Sequence, residues 1–125
     1  MKKIKVGIVG FGRIGQNGHY KEIIQYPEMY EIIAVADTAE SRRQDALKMN
    51  PDIRTYSSLD DMLENPELDM ITIGTRHLDH VPMAVKIMEA GKIAVIEKPV
   101  AASVAQFDTL IEAAKKTSEQ TFFPS

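Results

Sequence analysis

Short apolar runs and helical patterns alternate along this chain from one end to the other. Ile4 to Val9 is rich in β-branched residues and predicts a first strand, and Arg13 to about Gln25 predicts a helix. Ile32 to Ala36 predicts a second strand, followed by a polar helix over Ser41 to Met49. Arg54-Thr55-Tyr56 is a short third strand, after which Ser58 can cap a brief helix through Leu63. Met70 to Ile73 has the composition of a buried strand. Val81, Ala84, Val85 and Met88 then share one helical face. Gly91 stands where a helix C-terminus favours a residue at positive φ. Ile93 to Ile96 predicts a fifth strand. Ser103-Val104-Ala105-Gln106 has the form of a capping box and opens a helix whose apolar face is Val104, Phe107, Leu110, Ile111 and Ala114. Thr121 to Ser125 reads as a sixth strand cut short.

Strands that are apolar nearly throughout are buried on both faces. Strands alternating with helices imply right-handed crossovers and a parallel sheet. The expected fold class is therefore α/β: a doubly wound, mainly parallel six-stranded sheet in three layers, strand order 3-2-1-4-5-6, the Rossmann arrangement. No repeat, low-complexity tract or linker divides the chain, so residues 1–125 are read as one domain.

Composition narrows the partners. The 44% of apolar residues can fill a core that buries roughly 65–70% of the unfolded chain's surface. With 26% charged residues and a net charge of −3, the chain lacks the basic excess of a nucleic-acid binder. A small anion is not disfavoured, because one helix start can hold a phosphate locally. Cysteine is absent, which excludes a disulfide framework, a thiolate metal site and a cysteine nucleophile, and fits a cytoplasmic setting. No run approaches the ~20 apolar residues that span a bilayer. The basic-then-apolar start is too short for a signal peptide and runs into a glycine-rich turn. No histidine–carboxylate spacing suits a metal, so none is expected. Met62, Met70, Met83 and Met88 read as core filling, and His19 and His77 as surface residues.

The turn Gly10-Phe11-Gly12-Arg13-Ile14-Gly15 matches G-x-G-x-x-G between a strand and a helix. In a dinucleotide site the first glycine permits the tight turn. The second lets backbone approach the pyrophosphate, and the third lets the helix pack closely on the sheet. Amides at the helix start, with the helix dipole, would then face the phosphates. Asp37 ends the second strand, 22 residues after Gly15. A carboxylate there can accept hydrogen bonds from both adenosine ribose hydroxyls and would repel a 2′-phosphate. NAD is thus favoured over NADP, although Arg42 and Arg43 nearby weaken that preference. The competing reading is that Asp37 caps the next turn.

Three motifs in order carry a family resemblance. The first is the glycine turn with Asp37. The second, Ile73-Gly74-Thr75-Arg76-His77-Leu78-Asp79-His80, is similar to a Thr-Pro-Asn-x-x-His segment, with Arg76 and His77 departing from it. The third, Gly91-Lys92-Ile93-Ala94-Val95-Ile96-Glu97-Lys98-Pro99-Val100, is similar to a segment ending in Glu-Lys-Pro, the most specific of the three. The chain resembles the N-terminal domain of the glucose–fructose oxidoreductase / inositol dehydrogenase / MocA-like family.

The resemblance implies an NAD(P)-dependent oxidoreductase that moves hydride between a nicotinamide and a sugar, polyol or related alcohol. By the same resemblance Lys98 polarises or transfers a proton at the substrate, Glu97 positions it, and Thr75 and His80 line the cofactor cleft. The expected cofactor-contacting set is thus Gly10, Phe11, Gly12, Arg13, Ile14 and Gly15 of the turn, with Asp37, Thr75, His80, Glu97 and Lys98. The family's substrate-binding C-terminal domain is not expected within residues 1–125, so the chain alone is expected to bind cofactor without turnover and to be prone to form a homo-oligomer. Two other readings compete: a stand-alone NAD-binding regulatory module, and a glyceraldehyde-3-phosphate dehydrogenase, whose turn Gly-Phe-Gly-Arg-Ile-Gly also resembles. Glu-Lys-Pro has no place in the latter.

Overall fold

The computed structural model describes residues 3–75, 79–96 and 121–122. Its strands are β1 (Ile4–Val9), β2 (Tyr30–Ala36), β3 (Arg54–Tyr56), β4 (Met70–Ile73), β5 (Ile93–Val95) and β6 (Thr121–Phe122). They form one six-stranded sheet in the order β3-β2-β1-β4-β5-β6. Every pairing is parallel. The doubly wound order expected from the alternation of strands and helices is the one observed.

Successive side chains of a strand point to opposite faces, and the two faces build two cores. On one, Val9, Ala36, Ile71 and Ile73 pack against Leu59 and Met62 of α3 (Leu59–Leu63) and Val81, Ala84, Ile87 and Met88 of α4 (His80–Glu89). On the other, Val6, Ile8 and Val35 pack against Phe11, Tyr20 and Ala46, the last from α2 (Glu40–Met49). α2 buries only Ala46, in keeping with its polar sequence.

The helix after β1 differs from expectation. Ile14–Tyr20 is wound as a π-helix, and only Lys21–Ile23, here α1, is α-helical. Gly15 and Gly18 lie in the wide segment, and glycine is the poorest helix former after proline. Neither an acidic residue in the first turn nor a side-chain cap supports its start. A π-turn closes from i to i+5, so each residue advances the face by less than in an α-helix. Neighbours His19 and Tyr20 are accordingly both buried, which corrects the reading of His19 as a surface residue.

The helix ends follow their sequence signals. Ser58 Oγ accepts the Asp61 N–H at 3.2 Å and caps α3. Gly91 takes φ +79°. The Gly91 N–H donates to the Met88 carbonyl at 2.9 Å and the Lys92 N–H to the Ile87 carbonyl at 3.1 Å, the paired bonds of a Schellman motif. The capping-box helix expected from Ser103 lies outside the described residues. Among the described residues no helix is long and apolar enough to cross a membrane.

Candidate functional site

The carboxyl ends of β1, β2 and β4 open onto a cleft of about 840 Å³. This is the point where strand order reverses: β1 is flanked by β2 on one side and β4 on the other. Open α/β sheets bind ligands at such a switch point.

Gly10, at φ +87°, makes the tight turn out of β1, and its N–H donates to the Ala36 carbonyl at 2.8 Å. The Gly74 N–H donates to the Val9 carbonyl at 2.8 Å, holding the end of β4 against the turn. The Gly10 carbonyl oxygen is wedged between two glycines. A Cβ on Gly15 would collide with it, and one on Gly74 would lie 2.7 Å away. Gly15 is therefore a packing residue rather than a cleft residue. Gly12 and Arg13 do line the cleft.

Asp37 joins this turn to the end of β2. One carboxylate oxygen accepts the Phe11 N–H at 2.8 Å, and the other accepts the Ala39 N–H at 2.8 Å. The local cap and the link to the glycine turn coexist on one side chain. Each oxygen keeps a second lone pair, and Asp37 faces the cleft although 8% exposed. The Arg42 guanidinium stands 3.7 Å from the carboxylate and also lines the cleft. Arg43 instead donates to the Asp37 and Thr38 carbonyls at 2.8 and 3.1 Å, which pins it to the backbone.

Two expected contacts are placed elsewhere. The Phe11 ring is fully buried and meets Tyr20 edge-on, with centroids 5.9 Å apart. Its N–H is taken by Asp37, and its carbonyl accepts from Gln16 Nε2 at 2.7 Å. Phe11 anchors the turn and has no group facing the cleft. His80 also does not line the cleft: it is buried, with Nε2 3.0 Å from the Thr75 carbonyl oxygen and Nδ1 lacking a hydrogen-bond partner among the described residues. It supports Thr75, which does line the cleft and reaches Met83 Sδ through Oγ1 at 3.5 Å. Glu97, Lys98, Arg76 and His77 lie outside the described residues, as does the side chain of Ile14.

The far wall was not anticipated. Asp79, just before α4, and Pro82, Met83 and Lys86 on it present one face to the cleft, and Lys86 reaches Asp60 Oδ1 at 3.1 Å. Their spacing of i, i+3, i+4 and i+7 is that of a helical face. It was legible in sequence, but a mixed polar face reads as solvated surface, and Met83 as core.

A dinucleotide fits what is present. The turn offers backbone without side chains at Gly12, the adjoining helix start offers free amides, and Asp37 offers acceptors at the strand end. Comparison with known proteins agrees. The family profile described as "Oxidoreductase family, NAD-binding Rossmann fold" matches residues 4–124. The inositol 2-dehydrogenase of Salmonella typhimurium is 30% identical over 118 residues, which are 94% of this chain and 35% of that protein. The D-xylose 1-dehydrogenase (NADP(+)) of Hypocrea jecorina is 28% identical, over 90% of this chain and 31% of its own length. Among solved structures, the WlbA dehydrogenase of Bordetella pertussis, in complex with NADH and UDP-GlcNAcA, superposes with a TM-score of 0.92 at 30% identity, covering 98% of this chain and 37% of that one. The chain thus spans about a third of the length of these relatives.

Proposed function

This chain belongs to the Gfo/Idh/MocA oxidoreductase family as its NAD-binding Rossmann domain, and from that premise we propose that it is the cofactor half of an NAD-dependent dehydrogenase. The substrate class is a sugar, polyol or related alcohol, in keeping with the inositol and xylose dehydrogenases it resembles. Residues beyond these 125 would supply the substrate pocket.

The observation that carries the proposal is the bond between the Phe11 N–H and the Asp37 carboxylate at 2.8 Å. It couples the phosphate-binding turn to the ribose-binding position across two strands. In this reading the Gly12 amide and the helix start hold the pyrophosphate, Asp37 accepts the adenosine ribose hydroxyls, and Thr75 borders the cleft on the β4 side. A nicotinamide bound in this cleft would supply or accept the hydride. By the resemblance of the Glu97-Lys98-Pro99 segment to the family motif, Lys98 would move the alcohol proton or polarise the carbonyl, and Glu97 would position it. The buried negative charge of Asp37 opposes a 2′-phosphate, so NAD is the preferred partner. Arg42, at the same mouth, lessens the discrimination.

Calorimetric titration of the chain with NADH and with NADPH tests this. Saturable NADH binding, tighter than NADPH, is expected, with no NADH formed from NAD and inositol or xylose by the chain alone. Preference for NADPH would overturn the role given to Asp37. Turnover by the chain alone would overturn the division of labour.

A further inference from the structure

Gln16 lies just past the glycine motif and outside the residues that line the cleft. Its side-chain nitrogen donates to the Phe11 carbonyl at 2.7 Å and approaches Asp45 Oδ2, on α2, at 3.4 Å. Both neighbours are acceptors, so the amide must present its NH₂ to them rather than its oxygen. The Phe11 peptide group on the other side is equally fixed, because the Phe11 N–H is held by Asp37 at 2.8 Å. The residue before Gly12 is therefore clamped at both of its backbone polar groups.

That clamp has a consequence for Gly12. The carbonyl of Phe11 and the N–H of Gly12 belong to one peptide plane, and in a trans peptide they point in opposite directions. The carbonyl is held toward Gln16, which does not line the cleft, so the Gly12 N–H on the opposite edge of the peptide plane points away from Gln16, and Gly12 itself lines the cleft. Glycine is the residue whose peptide planes rotate most freely, so without the clamp this amide would sample other directions. We infer that Gln16 is a positioning residue that aims the Gly12 amide at the phosphate-binding end of the cleft. The inference rests on the dinucleotide reading of the cleft and adds to it a residue outside the glycine fingerprint. Gln16 touches no cofactor in this account. It acts by preorganising a donor, which removes an ordering cost from binding.

The test compares wild type with Gln16→Met, which keeps length and helix propensity and removes the donor, and with Gln16→Glu, whose carboxylate also cannot donate and faces the Asp45 carboxylate. Gln25→Met is the control, because Gln25 makes a comparable bond to the Lys21 carbonyl at 3.2 Å on the same segment. Each protein is titrated with NADH and with ADP-ribose by calorimetry, and the backbone amides are followed by ¹⁵N–¹H spectra. Gln16→Met is expected to weaken both ligands about tenfold, the scale of one hydrogen bond, and Gln16→Glu more. Gln25→Met should change neither. The Gly12 amide resonance of the free Gln16 variants should move or broaden while those of β1 stay in place, a signature that general loss of stability does not give. Binding of NADH and ADP-ribose by both Gln16 variants within twofold of wild type would overturn the inference. So would weakened binding with an unmoved Gly12 amide, or a spectrum altered throughout in both variants. If the wild type binds neither ligand, the dinucleotide reading itself falls, and this inference with it.

Discussion

In the proposed reading Asp37 serves both the fold and the ligand with the same two oxygens. It accepts the Phe11 and Ala39 amides at 2.8 Å each while remaining on the cleft. Removing it strands one amide in a buried setting and frees the glycine turn from β2. Hydrogen bonds to a charged group contribute about 1.5–3 kcal/mol. Asp37→Ala is therefore expected to lower stability by about 2 kcal/mol, seen as an earlier urea midpoint, and to weaken NADH by at least tenfold in calorimetry. Asp37→Asn retains one acceptor oxygen and should lose less in both measurements. A variant that loses affinity at unchanged stability would mean that the bond to Phe11 contributes nothing to the fold, and that the carboxylate acts on the ligand alone.

At the scale of elements, the clearest case is the end of α4. Gly91 sits at φ +79°, and a Cβ built there would meet nothing within 4 Å. The cost of Gly91→Ala is thus purely conformational, about 1 kcal/mol, and thermal unfolding should show a decrease of a few degrees. No decrease would mean that the chain relaxes out of the left-handed region at no cost. This end was legible in the sequence because glycine at that position has one physical reason. The strands were legible too, since runs such as Met70 to Ile73 are apolar enough to be buried on both faces. Boundaries were less so: β2 starts at Tyr30, where it pairs with Ile4, two residues before the apolar run begins. The π-winding of Ile14–Tyr20 left no periodic trace, because two glycines weaken the helix and the turn's packing shapes it. The candidate site was half legible. Gly10, Gly12, Arg13, Asp37 and Thr75 carry local signals and meet at the cleft, whereas Ser57, in the turn after β3, and Lys86, on α4, also line it and owe their places to the approach of separate elements. Phe11 and His80 sit in the motifs but one layer behind the surface the motifs build.

Across the whole molecule the sheet has two chemically distinct ends. The carboxyl end carries the cleft and the buried Asp37. At the amino end Lys92 is 8% exposed, and its Nζ donates to the Leu68 carbonyl at 2.8 Å. Beside it the Asp69 carboxylate accepts the Lys5 N–H at 2.9 Å. Burial pushes the Lys92 pKa below its ordinary value of 10.5, and the charge of Asp69 opposes part of that. Between the lowered folded value and 10.5 the unfolded chain binds more protons at this site than the folded one. The Lys92 contribution to stability therefore rises with pH across that alkaline window and is flat below it, where both states carry the proton. Lys92→Met removes the titrating group. The difference in urea midpoint between wild type and variant should shift in favour of wild type as pH rises toward 10.5. Equal slopes for the two proteins would show that the lysine is as well solvated folded as unfolded. The same substitution should leave NADH affinity at neutral pH unchanged. Lys92 and the glycine turn occupy opposite ends of the sheet, and sites without shared partners contribute independently. Loss of cofactor affinity in Lys92→Met would mean instead that strain at the amino end is carried along β4 and β5 to the cleft, and that the rigid sheet couples its two ends.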